Sequence, residues 1–242
     1  MIRLLTFDLD NTLWETEPVV IAAEARLLEW LAEHAPLFVR NLDADARRAV
    51  RQRVLAAEPL LRHRVTALRI AILELGLREA GYADDHAREL ALQGFEVFLE
   101  ARHALTFFPH AEALLGQLAK RYQLATISNG NADVKRLGLD HYFKVIVSAD
   151  EIGVGKPDPA PFLAALERAG AEPHETLHIG DHPVDDIQGA QAVGLHTLWF
   201  NRTGLAWPDQ PRPHGEVKCL SEVVDWLETY EQGMKRLRDD QR

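Results

Sequence analysis

The sequence predicts an α/β protein, a parallel β-sheet with helices on both faces, carrying one inserted α-helical subdomain. Two observations predict this fold. After residue 107, short apolar runs alternate with helical segments, a pattern typical of βαβ units and a parallel sheet. Between Pro18 and about His103, apolar residues recur instead at steps of three and four, the spacing of amphipathic helices.

Five predicted strands are short apolar runs with β-branched or aromatic members, bounded by polar residues or glycine. They are Ile2–Phe7, Gln123–Ser128, Val145–Ser148, Thr176–Ile179 and Leu195–Phe200. The predicted helices outside the insertion are His110–Lys120, Ala160–Ala169, Ile187–Val193 and Ser221 to about Glu231, and the Pro-rich segment Trp207–Gly215 is a predicted loop. We therefore expect a core domain of residues 1–14 and 107–242, interrupted by a helical domain of residues 15–106.

Composition excludes several classes of protein. The net charge of −10 argues against general nucleic-acid binding, because an acidic surface repels phosphate backbones. Uninterrupted apolar stretches are too short to cross a bilayer, so we expect no membrane partner. The single cysteine, Cys219, rules out an internal disulfide framework and favours a reducing, cytoplasmic location.

Polar residues follow each predicted strand at the point where it ends. In open parallel sheets, ligands bind beyond the carboxyl ends of the strands, so these residues should converge on one edge. Buried unpaired carboxylates are costly, which indicates a bound cation at this edge. The segments are Asp8-Leu9-Asp10-Asn11-Thr12, Ser128-Asn129-Gly130, Gly155-Lys156-Pro157, and Gly180-Asp181 followed by Asp185-Asp186.

This constellation resembles the haloacid dehalogenase-like hydrolase superfamily, in its phosphatase branch. The order and spacing of all four segments match the motifs of that family, which implies a Rossmann-like sheet and makes the helical insertion a small cap. A finer resemblance is to the bacterial YigB-like group of flavin-mononucleotide and pyrimidine-phosphate phosphatases. The segments that carry it are Glu17-Pro18-Val19, Ala57-Glu58-Pro59, His63-x-Val65-Thr66 and Thr126–Asn131.

Residue chemistry agrees with a phosphatase. Water attacks a phosphate monoester dianion very slowly, and an aspartyl-phosphate intermediate divides the reaction into two easier steps. Asp8, the first acid after the strand, is the candidate nucleophile. Asp10 lies two residues further on, on the same face of an extended backbone, where a carboxyl group can protonate the leaving alkoxide and later deprotonate water. A turn or helix cap is the alternative interpretation of this Asp pair.

The resemblance implies Mg²⁺ as cofactor, held by Asp8, the main-chain carbonyl of Asp10, and Asp181. Either Asp185 or Asp186 would complete the metal site, and Asp186 is favoured because it immediately precedes Ile187-x-Gly189-Ala190. The other acid would lie in an outer position.

Four further residues complete the expected site. Ser128 and the main-chain amide of Asn129 would grip phosphoryl oxygens, and Lys156 would neutralise their developing charge. Thr12 is grouped with the phosphate-binding residues, where it would brace the first loop by hydrogen bonding.

In the insertion, His63 and Arg69 are candidates for substrate recognition. The alternative is that these basic residues form a solvated helix face. If the insertion is a cap, it is placed to select the leaving group of the substrate.

We therefore predict a Mg²⁺-dependent phosphatase that acts on a small phosphorylated metabolite, as a monomer or weak homodimer. Flavin mononucleotide and the ribitylaminopyrimidine phosphate of riboflavin synthesis are the favoured substrates, with sugar phosphates and nucleoside monophosphates as alternatives. The dehalogenase branch of the superfamily lacks the second aspartate of the first motif, so Asp10 argues against it. A receiver-type signalling module would lack the helical insertion.

Overall fold

The computed structural model describes residues 1–208 and 211–239. The chain divides into two compact units. The α/β unit comprises Met1–Glu15, Thr106–Gly130 and the chain from Val134 onward, and the helical unit comprises Thr16–Leu105 with Asn131–Asp133. The assignment of these regions as catalytic core and cap stays a prediction.

A six-stranded sheet forms the centre of the α/β unit, with strand order β3-β2-β1-β4-β5-β6 and parallel pairing throughout. This confirms the predicted Rossmann-like α/β class. The strands are β1 Leu4–Phe7, β2 Gln123–Ser128, β3 Val145–Ser148, β4 Thr176–Gly180, β5 His196–Phe200 and β6 Gly215–Val217.

Ten α-helices are described, half of them in the inserted segment. Those of the helical unit are α1 Glu17–His34, α2 Pro36–Asn41, α3 Ala44–Ala57, α4 Val65–Ala80 and α5 Asp84–Arg102. Those of the α/β unit are α6 Ala111–Leu118, α7 Ala149–Ile152, α8 Pro159–Ala169, α9 Gly189–Ala192 and α10 Val223–Asp239. The 3₁₀ turns are Pro59–His63, Pro173–Glu175 and Leu220–Glu222, and Pro183–Gln188 forms a π-helical turn.

Burial explains why these segments form these elements. The central strand β1 is buried at every position, as expected for a parallel strand covered on both faces. Helices α8 and α9 contribute Phe162, Ala165 and Ala190 to an apolar cluster with β2 and β3. The helical unit has an apolar core of its own, built around residues such as Leu27, Leu77 and Phe98.

Two predictions at the C-terminal side were wrong. Strand β6 begins at Gly215, inside the predicted loop, and pairs with β5. A Cβ at Gly215 would lie 2.2 Å from the Trp226 ring, so glycine lets α10 pack against this strand. Helix α10 also continues to Asp239 rather than ending near Glu231. Residues 209 and 210 of the predicted loop, and the predicted core domain beyond residue 239, lie outside the described residues.

None of the described helices has both the length and the hydropathy needed to span a bilayer.

Candidate active site

The carboxyl ends of β1 and β4 and the loop at Lys156 enclose a polar cavity of about 280 Å³ in the α/β unit. Its position agrees with the rule that ligands bind beyond the carboxyl ends of parallel strands. All four predicted motifs contribute to it. The lining residues are Asp8, Asp10, Asn11, Asn129, Gly130, Lys156, Asp181, His182, Asp185 and Asp186.

Lys156 bridges two carboxylates at the floor of this cavity. Its Nζ donates hydrogen bonds to Asp8 Oδ1 and to Asp186 Oδ1, each at 2.6 Å, and all three side chains are buried. Burial alone would lower the pKa of Lys156, but the negative charges of Asp186 and Asp8 outweigh burial and raise it. The ammonium group is therefore charged at neutral pH.

The pKa values of the two acids beside Lys156 are shifted in opposite directions. Burial, together with the neighbouring Asp186 and Asp181, raises the pKa of Asp8 well above its ordinary value, although Lys156 opposes this. Burial would also raise the pKa of Asp186, but Lys156 and the N–H of His178 outweigh it and hold this pKa below its ordinary value. Both carboxylates accept a hydrogen bond from the same Lys156 ammonium.

Asp181 completes a cluster of three carboxylates. One oxygen from each of Asp8, Asp181 and Asp186 lies within 4.8 Å of the others. Burial and the charge of Asp186 raise the pKa of Asp181 to about 6. Three crowded acids face one lysine, and an all-oxygen donor set suits Mg²⁺, so these residues fit the predicted cofactor.

Thr12 lies beneath this cluster rather than in the cavity lining. It is fully buried, and its Oγ1 lies within donating distance of Asp8 Oδ2 (3.3 Å) and Asp181 Oδ1 (3.4 Å). This position suits the predicted bracing of the first loop.

Asp10 is held apart from the three-carboxylate cluster by its own partners. Trp14 Nε1 donates a hydrogen bond of 2.8 Å to Asp10 Oδ1. A Cβ at Gly130 would lie 2.2 Å from Asp10 Oδ2, so the absence of a side chain there makes room for the carboxylate. The turn depends on Asn11, whose φ of 62° is a left-handed conformation that Asn tolerates well.

Asn129 joins two of the motif loops through its side chain. Its Nδ2 donates to the Lys156 carbonyl at 2.9 Å, and its Oδ1 accepts from the Lys156 N–H at 2.7 Å. Ser128 is buried, and its Oγ accepts the Gly130 N–H at 3.0 Å. Asn129 lines the cavity, and the loop that carries Lys156 is held directly against β2.

The structure distinguishes the two acids that the sequence left open. Asp186 is buried, and its Oδ2 accepts the backbone N–H of His182 at 2.9 Å. The Asp185 side chain is 36% exposed, and its Oδ2 lies 3.7 Å from His182 Nδ1. Burial raises the pKa of Asp185, but this residue lies at the cavity margin rather than in the cluster.

Sequence reasoning missed one member of this site and the spatial role of another. His178, in the middle of β4, is fully buried and lies 3.2 Å from Asp186. Gly180 has a spatial role, because a Cβ there would lie 2.3 Å from Cγ of Asp186. The sequence feature that could have identified His178 is its place inside an otherwise apolar strand, Thr-Leu-His-Ile-Gly.

His63 and Arg69 lie in the helical unit. His63 ends the 3₁₀ turn before α4. Arg69 pairs with Glu24 and stacks over the Phe98 ring, 3.5 Å from its centroid. A role of either residue in substrate recognition stays a prediction.

Comparison with known proteins decides the family. A sequence profile of the haloacid dehalogenase-like hydrolases matches residues 2–194. The chain belongs to this family.

Curated relatives include phosphatases. The chain is 30% identical to the Escherichia coli (strain K12) protein named 5-amino-6-(5-phospho-D-ribitylamino)uracil phosphatase YigB, over 93% of this chain and 96% of the relative. It is 39% identical to the phosphoserine phosphatase of Thermus thermophilus, over 61% of this chain and 60% of the relative. The predicted resemblance to YigB-like proteins is confirmed.

Solved structures include a differently named relative. A crystal structure of a 2-haloacid dehalogenase from Pseudomonas syringae pv. Tomato DC3000 shares 46% identity and a TM-score of 0.92, covering 95% of this chain and all of that one.

Proposed function

We propose that this protein is a Mg²⁺-dependent phosphatase that hydrolyses a small phosphorylated metabolite through an aspartyl-phosphate on Asp8. The observation that carries the proposal is the buried Lys156 held between Asp8 and Asp186, beside the three-carboxylate cluster. Two of the relatives reported above are phosphatases by name, which supports a phosphoric monoester hydrolase.

The first chemical step forms the covalent intermediate. A carboxylate oxygen of Asp8 attacks phosphorus, and the bond from phosphorus to the alcohol oxygen breaks. Asp10 gives its proton to the departing alkoxide. Trp14 holds Asp10 Oδ1, which fixes the direction from which that proton is delivered.

The second step releases phosphate. Asp10, now ionised, takes a proton from water as that water attacks the aspartyl-phosphate, and the bond between phosphorus and the Asp8 oxygen breaks. The products are free phosphate and the regenerated Asp8 carboxylate. Because one residue serves as acid and then as base, Asp10 returns to its starting state after each turnover.

The phosphoryl oxygens need positive partners in both steps. Lys156 provides a buried positive charge 2.6 Å from Asp8, and the Asn129 N–H and Ser128 hydroxyl provide hydrogen-bond donors. Ser128 Oγ already accepts from Gly130, which leaves its own proton for a phosphoryl oxygen. When Mg²⁺ is bound, Asp8 and Asp181, with Asp186 adjacent and the Asp10 carbonyl as an expected ligand, would hold it to neutralise charge on the phosphoryl group.

We assign the choice of substrate to the helical insertion, with His63 and Arg69 as candidate determinants. The name of the YigB relative supports 5-amino-6-(5-phosphoribitylamino)uracil as the substrate type, and we include flavin mononucleotide from the resemblance to the YigB-like group. Contacts to the alcohol part of a substrate raise selectivity through binding energy that is remote from phosphorus. Sugar phosphates and nucleoside monophosphates are the alternatives.

A 2-haloacid dehalogenase is the second candidate function, because the Pseudomonas syringae structure is so similar. In that reaction Asp8 would attack the carbon that carries the halogen, and halide would leave without needing a proton. Asp10, held by Trp14 at the cavity, would have no leaving group to protonate in that chemistry. We therefore favour the phosphatase.

One experiment separates the two functions. The purified protein is assayed for phosphate release from flavin mononucleotide, p-nitrophenyl phosphate and a panel of metabolite phosphates, with Mg²⁺ and with excess EDTA. The same preparations are assayed for chloride release from 2-chloropropionate. We expect phosphate release that requires Mg²⁺ and no chloride release. Chloride release that persists in EDTA, without phosphate release, would overturn the proposal.

A further inference from the structure

His178 occupies an unusual position for a histidine. It lies in the middle of β4, is fully buried, and is the register partner of Thr6 on β1. The Phe162 ring packs against it in a T-shaped arrangement, with the ring centroids 5.3 Å apart. A buried parallel strand is normally apolar at such a position, so the imidazole needs a polar reason to be there.

Both ring nitrogens have partners. Nδ1 lies 2.8 Å from Thr6 Oγ1, and Nε2 lies 3.2 Å from Asp186 Oδ1. An ionised carboxylate can only accept, so Nε2 carries the proton. In the neutral ring, Nδ1 is then the acceptor, and it accepts the Thr6 hydroxyl proton. The Thr6 hydroxyl thus selects the tautomer that donates to Asp186.

Asp186 transmits this contact to the nucleophile. Its Oδ1 accepts from both His178 Nε2 and Lys156 Nζ. The same Lys156 ammonium donates to Asp8 Oδ1. A continuous series of hydrogen bonds therefore runs from Thr6 on β1, through β4, to the carboxylate of Asp8.

We propose that His178 is a positioning residue that fixes the Asp186 carboxylate, and through it the placement of Lys156 against Asp8. The proposal rests on the proposed function for the roles of Asp8 and Lys156. Without the imidazole donor, Asp186 Oδ1 keeps only Lys156, and rotation of the carboxylate moves the ammonium away from Asp8. Partners of this kind typically change activity or metal affinity by about 10- to 100-fold when removed.

Substitutions at His178 give the direct test. His178→Phe keeps an aromatic ring and removes both nitrogens, whereas His178→Gln retains an amide N–H that can reach Asp186. We expect kcat for p-nitrophenyl phosphate to fall about 10- to 100-fold in His178→Phe, with a smaller change in KM. His178→Gln should recover part of the loss. The apoprotein of His178→Phe should also bind Mg²⁺ more weakly by titration calorimetry.

Thr6→Val has a matched control on the adjacent strand. Thr126 is likewise a buried strand threonine, but its Oγ1 has no hydrogen-bond partner among the described residues. Thr6→Val should lower kcat severalfold, because the His178 ring is then no longer held in the tautomer that donates to Asp186. Thr126→Val should leave kcat unchanged. This pair decides the proposal even if His178→Phe fails to fold.

Specific outcomes would overturn the proposal. Folded His178→Phe with kcat and Mg²⁺ affinity within twofold of wild type would do so. Equal kcat in Thr6→Val and Thr126→Val would do so as well, as would a His178→Gln variant that regains thermal stability but no kcat. Asp8→Asn distinguishes the two levels of argument: if that variant is active, the proposed function fails, whereas normal His178→Phe beside inactive Asp8→Asn refutes the positioning role alone.

Discussion

The two units of this protein differ in what they bury. Among the described residues, the buried polar and charged side chains lie in the α/β unit, and Arg102 in the helical unit is the exception. The helical unit buries an apolar core, and it places ion pairs such as Arg53–Glu79 and Arg78–Glu74 at partly exposed positions.

The two units therefore differ in what their buried residues do: those of the α/β unit fix charged groups, and those of the helical unit stabilise the fold by apolar packing. Burying a charge costs several kcal/mol unless partners replace its hydration, and exposed ion pairs contribute little to stability. The α/β unit buries charged groups despite this free-energy cost at Lys156, Asp8 and Asp186, whose positions must be fixed. The helical unit folds by apolar packing and has a cavity of about 340 Å³ lined by leucines and arginines, including Arg69.

The largest effect is expected at the centre of the buried network. Asp8→Asn should reduce phosphate release by roughly 10⁴-fold or more, because an amide cannot attack phosphorus. The fold should persist, since Lys156 keeps its bond to Asp186 and one of three clustered acids is removed. Phosphate release measures the loss of activity, and circular dichroism checks that the fold persists. Wild-type turnover by a folded variant would exclude covalent catalysis.

Asp10→Asn should show a smaller and selective loss. General acid–base groups contribute about 10²- to 10⁴-fold, and here the loss should depend on the leaving group. Single-turnover phosphorylation should be nearly normal with p-nitrophenyl phosphate and slow with an alkyl phosphate, because only the poor leaving group needs a proton. Equal losses for the two substrates would contradict the acid role.

A pair of glycine substitutions compares the units directly. Gly180→Ala places a methyl group 2.3 Å from the Asp186 Cγ, and Gly76→Ala places one 2.8 Å from the Phe38 ring. We expect Gly180→Ala to lower kcat about 10- to 100-fold, because Asp186 is displaced. Gly76→Ala should change the unfolding free energy by at most about 1–3 kcal/mol and leave kcat for p-nitrophenyl phosphate unchanged. A similar loss of kcat in both variants would contradict the expected difference between the two units.

The smallest effect is expected at Arg69. Arg69→Met keeps a long side chain over Phe98 and removes the charge that pairs with Glu24. We expect kcat/KM to shift severalfold among flavin mononucleotide, sugar phosphates and nucleotides, with little change for p-nitrophenyl phosphate. Glu79→Gln, at an exposed pair in the same unit, is the control. An unchanged substrate ranking in Arg69→Met would remove Arg69 as a specificity determinant.

The fold class and the polar residues at the strand ends could be predicted from local patterns in the sequence. Apolar runs that stop at Asp8, Ser128 and Gly180 predict both the strands and the edge where the polar groups meet, because these signals are local in the chain. The spacing of apolar residues in the insertion was likewise sufficient to predict its helices, because this signal is also local in the chain. Strand β6 was missed because three residues behind a Pro-rich segment carry little periodic signal, and pairing with β5 decides it.

The hydrogen-bond partner of each polar group depends on three-dimensional packing and could not be predicted from the sequence. Thr6 and His178 are 172 residues apart, and they meet because β1 lies beside β4 in the sheet. The choice of Asp186 over Asp185 for the buried position depends on the π-helical turn and on the space above Gly180. Adjacent acids have the same local pattern, so the difference in their burial and hydrogen bonding arises from packing against residues distant in the chain.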